Sequence, residues 1–233
     1  MKKLIIANWK MNPANLKEAK KLATAIHKKS KHTVVVCPPQ AFLGAISFPR
    51  LGAQDCFWQN RGPFTGQVSP SQLKSLKVKY CLVGHSEKRA LGETDEMVNA
   101  KIKSLLEEKI TPVLCVGFGT KVEQDDLEVV DVLKAQLDVD LIGIEASKVI
   151  VAYEPVWAIS SGDPMATKKV ENPEHAEKIA IFIKNKYKVG KVIYGGSVNP
   201  YNAKGFLEQT NIDGLLPGGA SLIPSYLNQI INM

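Results

Sequence analysis

Eight times along this chain a short apolar run is followed by a segment of helical spacing, and no linker separates one unit from the next. The apolar runs fall at residues 4–7, 33–37, 51–54, 80–83, 112–116, 149–153, 192–194 and 213–216. Strands that alternate with helices pair in parallel. Val149-Ile150-Val151-Ala152-Tyr153 has no polar interruption and reads as a strand buried on both faces. Between the strands, residues 15–29 read as a helix with Leu16, Ala19, Ala23 and Ile26 on one face. A second long helix opens at Thr94 and turns Val98, Ile102, Leu105 and Leu106 inward. Leu127, Val130, Leu133 and Leu137 mark a third, and Pro173-Glu174 opens a fourth. Residues 200–209 and 222–231 complete the helices, and residues 38–49 hold at most about two helical turns. Eight such units in 233 residues favour an α/β fold closed as a (β/α)8 barrel, one domain over residues 1–233.

In such a barrel the strand ends converge on one mouth, so the residues just after each strand matter most. Asn8 and Lys10 follow the first strand, His85 the fourth, Glu154 the sixth, Ser197 the seventh, and Gly218-Gly219 the eighth. Glu154 closes a buried strand and Pro155 stops the ladder behind it. A strand-end acid alone is usually just solvated; five polar strand ends at one mouth make a site. Gly195-Gly196-Ser197 and Gly218-Gly219 let backbone N–H groups approach an anion, each ahead of a helix. At a helix N-terminus the dipole disfavours the imidazolium of His85, and a neutral imidazole can donate to a carbonyl oxygen. Lys10 brings positive charge to where negative charge develops, and Asn8 donates a hydrogen bond beside it. A carboxylate, a neutral donor, an ammonium and an anion cradle fit proton abstraction next to a carbonyl through an enediolate. No metal-ligand spacing and no redox-cofactor fingerprint is present, so neither a metal nor a cofactor is expected.

The net charge of +7 raises the question of nucleic acid, but the 30 basic residues include only Arg50, Arg61 and Arg89 as arginines. The lysines are scattered along helix-like segments, which argues against base readout and for a solvated basic surface. No run is long enough for a membrane span. Cys37, Cys81 and Cys115 lie in apolar runs, and with Cys56 form no C-x-x-C pair. Reduced core cysteines and a cytoplasmic location are expected.

Asn8-Trp9-Lys10-Met11-Asn12, Gly84-His85-Ser86-Glu87, Ala152-Tyr153-Glu154-Pro155-Val156-Trp157-Ala158-Ile159, Tyr194-Gly195-Gly196-Ser197-Val198 and Gly218-Gly219-Ala220-Ser221-Leu222 run in register with one known pattern. The chain resembles the triosephosphate isomerase family along its whole length. The resemblance implies a single-domain (β/α)8 TIM barrel that interconverts dihydroxyacetone phosphate and D-glyceraldehyde 3-phosphate in glycolysis and gluconeogenesis. It implies Glu154 as base, His85 as electrophile, and Asn8 and Lys10 as substrate contacts. Backbone N–H groups of Ser160, Ser197, Gly218 and Gly219 would hold the phosphate. Glu87 would support Lys10, Ile159 and Leu216 would desolvate Glu154, and the segment from Pro155 would close as a lid. The family assembles as homodimers, so Thr65 would reach the partner's site near Asn8 and Glu87.

Several residues depart from the family pattern. The lid tip reads Ser160-Ser161-Gly162-Asp163-Pro164-Met165-Ala166-Thr167 and is lengthened by residues 168–172. Ser160 stands for a usual Gly, Pro217 for a Val and Phe118 for a Glu, and residues 38–49 are short for a second helix. Gln67 and Lys88 replace a Glu and an Arg that pair across the family's interface. Two other readings are a barrel whose lid leaks phosphate to give methylglyoxal, and a non-catalytic phosphosugar binder, which would need no base.

Overall fold

A computed structural model describes residues 2–27, 29–159 and 170–233. Eight strands form one parallel sheet: β1 (Leu4–Asn8), β2 (Thr33–Cys37), β3 (Gly52–Ala53), β4 (Tyr80–Val83), β5 (Thr111–Val116), β6 (Ile150–Tyr153), β7 (Lys191–Tyr194) and β8 (Gly214–Leu215). The order is β2-β1-β8-β7-β6-β5-β4-β3. Its two edges meet where Val36 bridges Leu51 in parallel, and the Val36 N–H donates to the Arg50 carbonyl at 3.1 Å. That contact closes the sheet into the expected barrel.

The strands look uniformly apolar because each faces two dry environments. Leu4, Ile6, Val35, Cys37, Leu82, Val113, Cys115, Ile150, Ala152, Ile193 and Leu216 fill the barrel interior as one cluster. Their neighbours Ile5, Ala7, Val34, Val36, Leu114, Val116, Val151, Tyr153, Val192 and Tyr194 pack outward against the helices. Side chains on a strand alternate by face, so both parities must be apolar. Continuing the inward parity past the strands puts Asn8, Gly117, Glu154 and Gly195 in the top layer of the barrel.

The helices are α1 (Leu16–Ala25), α2 (Pro70–Ser75), α3 (Ser86–Arg89), α4 (Asp95–Glu107), α5 (Asp126–Asp140), α6 (Pro173–Tyr187), α7 (Ala203–Glu208) and α8 (Pro224–Ile231). Three depart from the sequence reading for visible reasons. The helix expected to run to residue 29 stops at Ala25, because Asn228 on α8 accepts from the His27 N–H at 2.8 Å and donates to the Ala25 carbonyl at 2.9 Å. The helix expected from residue 200 starts at Ala203, since Asn199 Oδ1 takes the N–H groups of Tyr201 and Asn202 in a turn. The last helix divides at Pro224, which holds Ile223 out of helical geometry at φ −107°, ψ 103°. A 3-10 turn, Gly219–Leu222, precedes it. In α5 the inward face is Val129, Leu133, Gln136, Leu137 and Asp140, and Leu127 is exposed beside the Asp125 cap. Residues 38–49 carry only the 3-10 helix Gln40–Ala45, so that flank is thin, as expected. All four cysteines are free and buried. No helix among the described residues is long and apolar enough to cross a membrane.

Candidate active site

Glu154 follows β6 and is 1 % exposed. Its Oε2 accepts from the Ser86 N–H at 3.1 Å, while Oε1 lies 3.3 Å from His85 Nε2. That approach is not aligned as a hydrogen bond, so Oε1 is buried without a hydrogen-bond partner among the described residues. Two glycines make its position possible. A Cβ on Gly117, at φ 115°, would stand 2.4 Å from the Glu154 carbonyl oxygen. A Cβ on Gly195 would stand 2.8 Å from Glu154 Cγ. Gly195-Gly196 was read from sequence as room for an anion. Gly195 instead leaves room for the carboxylate, and a Cβ on Gly196 would meet the Tyr194 hydroxyl at 2.1 Å.

His85 is the N-cap of α3, and its Nδ1 accepts from the Glu87 N–H at 3.2 Å. An accepting Nδ1 carries no proton, which leaves the ring's N–H at Nε2, on the side of Glu154. The preceding residue is anchored from behind: Arg89 Nε donates to the Gly84 carbonyl at 2.8 Å, and Arg89 Nη2 pairs with the buried Asp140 at 2.7 Å. Burial opposes the Arg89 charge, but Asp140 and Asp95 outweigh it and hold the guanidinium above its ordinary value.

Lys10 sits at φ 53°, a left-handed conformation unusual for lysine. Its N–H donates to Asn8 Oδ1 at 3.0 Å, and Gln54 Nε2 spans the Lys10 and Cys37 carbonyls at 2.8 and 2.9 Å. Its ammonium pairs with Glu87 Oε1 at 2.7 Å. Glu87 thus touches both His85, through its backbone, and Lys10, through its side chain.

A narrow cavity is lined by Asn8, Lys10, His85, Ile159, Ser197, Leu216, Gly218 and Gly219, among others. Seven of the expected site residues thus meet Lys10 at one mouth. Gly218 comes close enough that a Cβ would lie 3.2 Å from Lys10 Cε. Gly219 opens the 3-10 turn, where first-turn N–H groups have no partner within the helix. Ser197 differs from expectation: its N–H donates to the Ala158 carbonyl at 2.8 Å, so it is engaged with the first turn of the lid. Pro217 has lost an N–H, yet its carbonyl still accepts from the Asn8 N–H at 3.0 Å. Ser160 and the lid tip at residues 160–169 lie outside the described residues.

A second cleft, ≈ 480 Å³, opens beside the first and shares Asn8, Lys10 and His85. Met11, Gln54, Glu87 and Leu91 complete much of its wall, and Met11 and Leu91 are 93 % and 84 % exposed. Thr65 is exposed on its own loop and does not line this cleft in the same chain. Lys88 pairs within the chain with Asp55 at 2.9 Å. Sequence reasoning missed three supports: Gln54, the Ser86 N–H and Thr120. Thr120 Oγ1 accepts from the Val156 N–H at 3.1 Å and donates to the Gly117 carbonyl at 2.8 Å, fastening the start of the lid to the end of β5. Their signal was position at a strand's end, but an amide or hydroxyl there has no distinctive neighbour in sequence.

A parallel barrel with an acid, an imidazole and an ammonium at its C-terminal mouth is the architecture of a barrel enzyme. The family model described as triosephosphate isomerase matches residues 3–233. A triosephosphate isomerase of Aquifex aeolicus (strain VF5) is 38 % identical over 252 residues, covering 99 % of this chain and 99 % of its own. One of Alkaliphilus metalliredigens (strain QYMF) is 40 % identical over 253 residues, covering 100 % of both chains. One of Picosynechococcus sp. (strain ATCC 27264 / PCC 7002 / PR-6) is 39 % identical over 246 residues, covering 100 % of this chain and 99 % of its own. The chain belongs to the triosephosphate isomerase family. Its activity is that family's, an intramolecular aldose–ketose isomerisation of triose phosphates in glycolysis.

Proposed function

We propose that Glu154 is the base of this isomerisation and His85 its electrophile, within a single catalytic domain over residues 1–233. The observation that carries the reading is the approach of His85 Nε2 to Glu154 Oε1 at 3.3 Å, with Lys10 held beside them by Glu87. A substrate carbonyl oxygen set against His85 at the mouth would accept from Nε2–H. Glu154 Oε1, without a hydrogen-bond partner among the described residues, would take the proton from the adjacent carbon. The enediolate's negative charge would rest on the His85 N–H, the Asn8 amide and the Lys10 ammonium. Glu154 then returns the proton to the neighbouring carbon, while His85 Nε2 gives its proton to the first oxygen and takes the hydroxyl proton from the second, so that the carbonyl forms at the other carbon. The same chemistry runs toward either triose phosphate, which suits glycolysis and gluconeogenesis alike, with no cofactor or metal taking part.

The phosphate would lie on the N–H groups of Gly218, Gly219 and Ser197, with Ser160 contributing from the lid. For Ser197 this requires the bond to Ala158 to be given up. Ile159 and Leu216 line the same cavity and would keep water from Glu154.

The working form is a homodimer. The cleft of ≈ 480 Å³ beside the site, with exposed Met11 and Leu91, suits the 62–67 loop of a second copy, bringing its Thr65 to Asn8 and Glu87. Four free buried cysteines suit a reducing, cytoplasmic setting. No nucleic acid or membrane partner is part of the reading. A coupled assay of triose phosphate interconversion tests it directly. Glu154→Asp retracts the carboxylate by about 1 Å and lowers kcat on the order of a hundredfold. Near-normal turnover in that variant removes Glu154 from the base role.

A further inference from the structure

A cleft of ≈ 620 Å³ lies at the opposite end of the barrel, where β4, β5, β6 and β7 begin. Lys109, Lys148 and Lys191 line it, one at the entrance to each of three neighbouring strands. Adjacent strands run about 4.8 Å apart, which spaces the lysine stems along an arc. The backbone fixes this arrangement. Gly190 passes so near the 147 carbonyl that a Cβ would stand 2.3 Å from it, which presses the Lys148 and Lys191 turns together. Lys109 is held at φ 59°, a left-handed position more often given to glycine.

The charge at this end is not neutralised. Lys109 and Lys191 form no ion pair among the described residues. Lys148 pairs with Glu145 at 2.7 Å, but both side chains are largely exposed and such a pair exchanges readily. The C-terminal end of α4 adds partial negative charge near Lys109, less than one ammonium. The remaining wall offers the hydroxyls of Thr111 and Ser147 and the apolar surface of Leu106 and Ile110.

We propose that this cleft binds a compact anion of two or more linked phosphates, at a site separate from the triose phosphate site. Linked phosphates present successive charges a few ångströms apart, as the lysine arc requires, whereas a single phosphate could meet only part of it. The chain could come from inorganic polyphosphate or from the tail of a nucleoside triphosphate.

Isothermal titration with sodium tripolyphosphate is the test, run on the wild-type chain, on Lys109→Ala/Lys191→Ala and on Lys10→Ala. Saturable binding that Lys10→Ala retains and the double variant weakens by about tenfold or more supports the site. The double variant keeps wild-type isomerase turnover. Equal affinity for ATP and tripolyphosphate assigns recognition to the phosphate chain alone; markedly tighter ATP binding assigns a nucleotide, with its base on the Leu106–Ile110 wall. The proposal is overturned if tripolyphosphate does not bind, if binding disappears in Lys10→Ala and survives in the double variant, or if a mixed-sequence oligonucleotide binds as tightly. That last result would mean a diffuse basic surface.

Discussion

At Gly195 the barrel mouth has no space for a side chain. The carboxylate of Glu154 occupies the volume, and the Tyr153 carbonyl lies 3.3 Å from where a Cβ would be. The glycine's backbone is not left-handed, so alanine is sterically excluded rather than conformationally strained. Gly195→Ala must therefore push Glu154 sideways. Displacing a proton-transfer group by a fraction of an ångström to an ångström costs on the order of ten- to a hundredfold in rate. We expect kcat to fall by about that factor while the variant remains folded, since one crowded methyl costs about 1–3 kcal/mol. Steady-state kinetics beside a thermal melt checks both parts; an unchanged kcat would mean that Glu154 has slack its burial does not imply. Gly117 differs because its φ of 115° and its 2.4 Å approach to the Glu154 carbonyl both exclude a side chain. Alanine there should cost stability as well as rate. Lys10 shows strain of the opposite kind, a non-glycine residue held left-handed by Gln54 and Asn8 so that its ammonium reaches Glu87.

The first turn of α6 gathers charge directly behind the lid. Glu171 is buried and meets His175 Nδ1 at 3.0 Å and the Tyr153 hydroxyl at 3.4 Å. His175 Nε2 faces Asp126 of α5 at 3.3 Å, and Lys178 joins the same acid at 3.3 Å. The hydrogen bond to Glu171 raises the His175 pKa above its ordinary 6.5, burial opposes it, the Glu171 and Asp126 charges add to the rise, and Lys178 subtracts. The α6 N-terminus disfavours a cation too, so the two acids hold the balance. A folded pKa above the unfolded one means the protonated ring stabilises the fold below about pH 6.5. That contribution disappears as pH rises through the folded value. His175→Gln should therefore melt below the wild type at pH 6, with the gap closing as pH is raised past neutrality. A gap that widened with pH would assign the proton to the wrong state. None of this cluster was legible in sequence, because Glu171 and His175 are an ordinary i, i+4 pair until Asp126 arrives from another helix. The eight-unit alternation was legible, since two dry faces make each strand apolar throughout. So was the gathering of Asn8, Lys10, His85, Ser197, Gly218 and Gly219 at one mouth, since each lies at or within a few residues of a strand's end. Helix ends were less legible: the C-terminus of α1 is set by Asn228, some two hundred residues away. Pro224 is the exception, a local signal for the break before α8 that the apolar periodicity masked.

At the scale of the molecule, charge and apolar surface divide the barrel's two ends. The mouth has the exposed Met11 and Leu91 beside the site; the floor has Lys109 and Lys191, which form no ion pair among the described residues. The proposed dimer would cover the mouth's apolar residues, and its electrostatics follow from one local pairing. The resemblance would give Lys88 the place of an interface cation, but Asp55 of the same chain pairs with it at 2.9 Å and also holds Lys101 at 2.6 Å. Gln67 offers no carboxylate in return. Assembly would then rest on apolar burial and on the 62–67 loop seated in the neighbouring cleft, with little Coulomb attraction across the interface. Exposed ion pairs weaken as the Debye length shrinks from about 14 Å to about 4 Å between 0.05 and 0.5 M salt, whereas apolar burial does not. The dimer dissociation constant should thus change by less than about threefold over that range, as sedimentation velocity would measure. Met11→Asp should weaken the dimer by about a hundredfold, since it places a charge in the buried patch and removes its most exposed apolar side chain. The isolated chain should lose turnover along with its partner, because Thr65 would no longer reach Asn8 and Glu87. An active monomer, or a dimer weakened more than tenfold by salt alone, would place the contacts between copies somewhere other than this cleft.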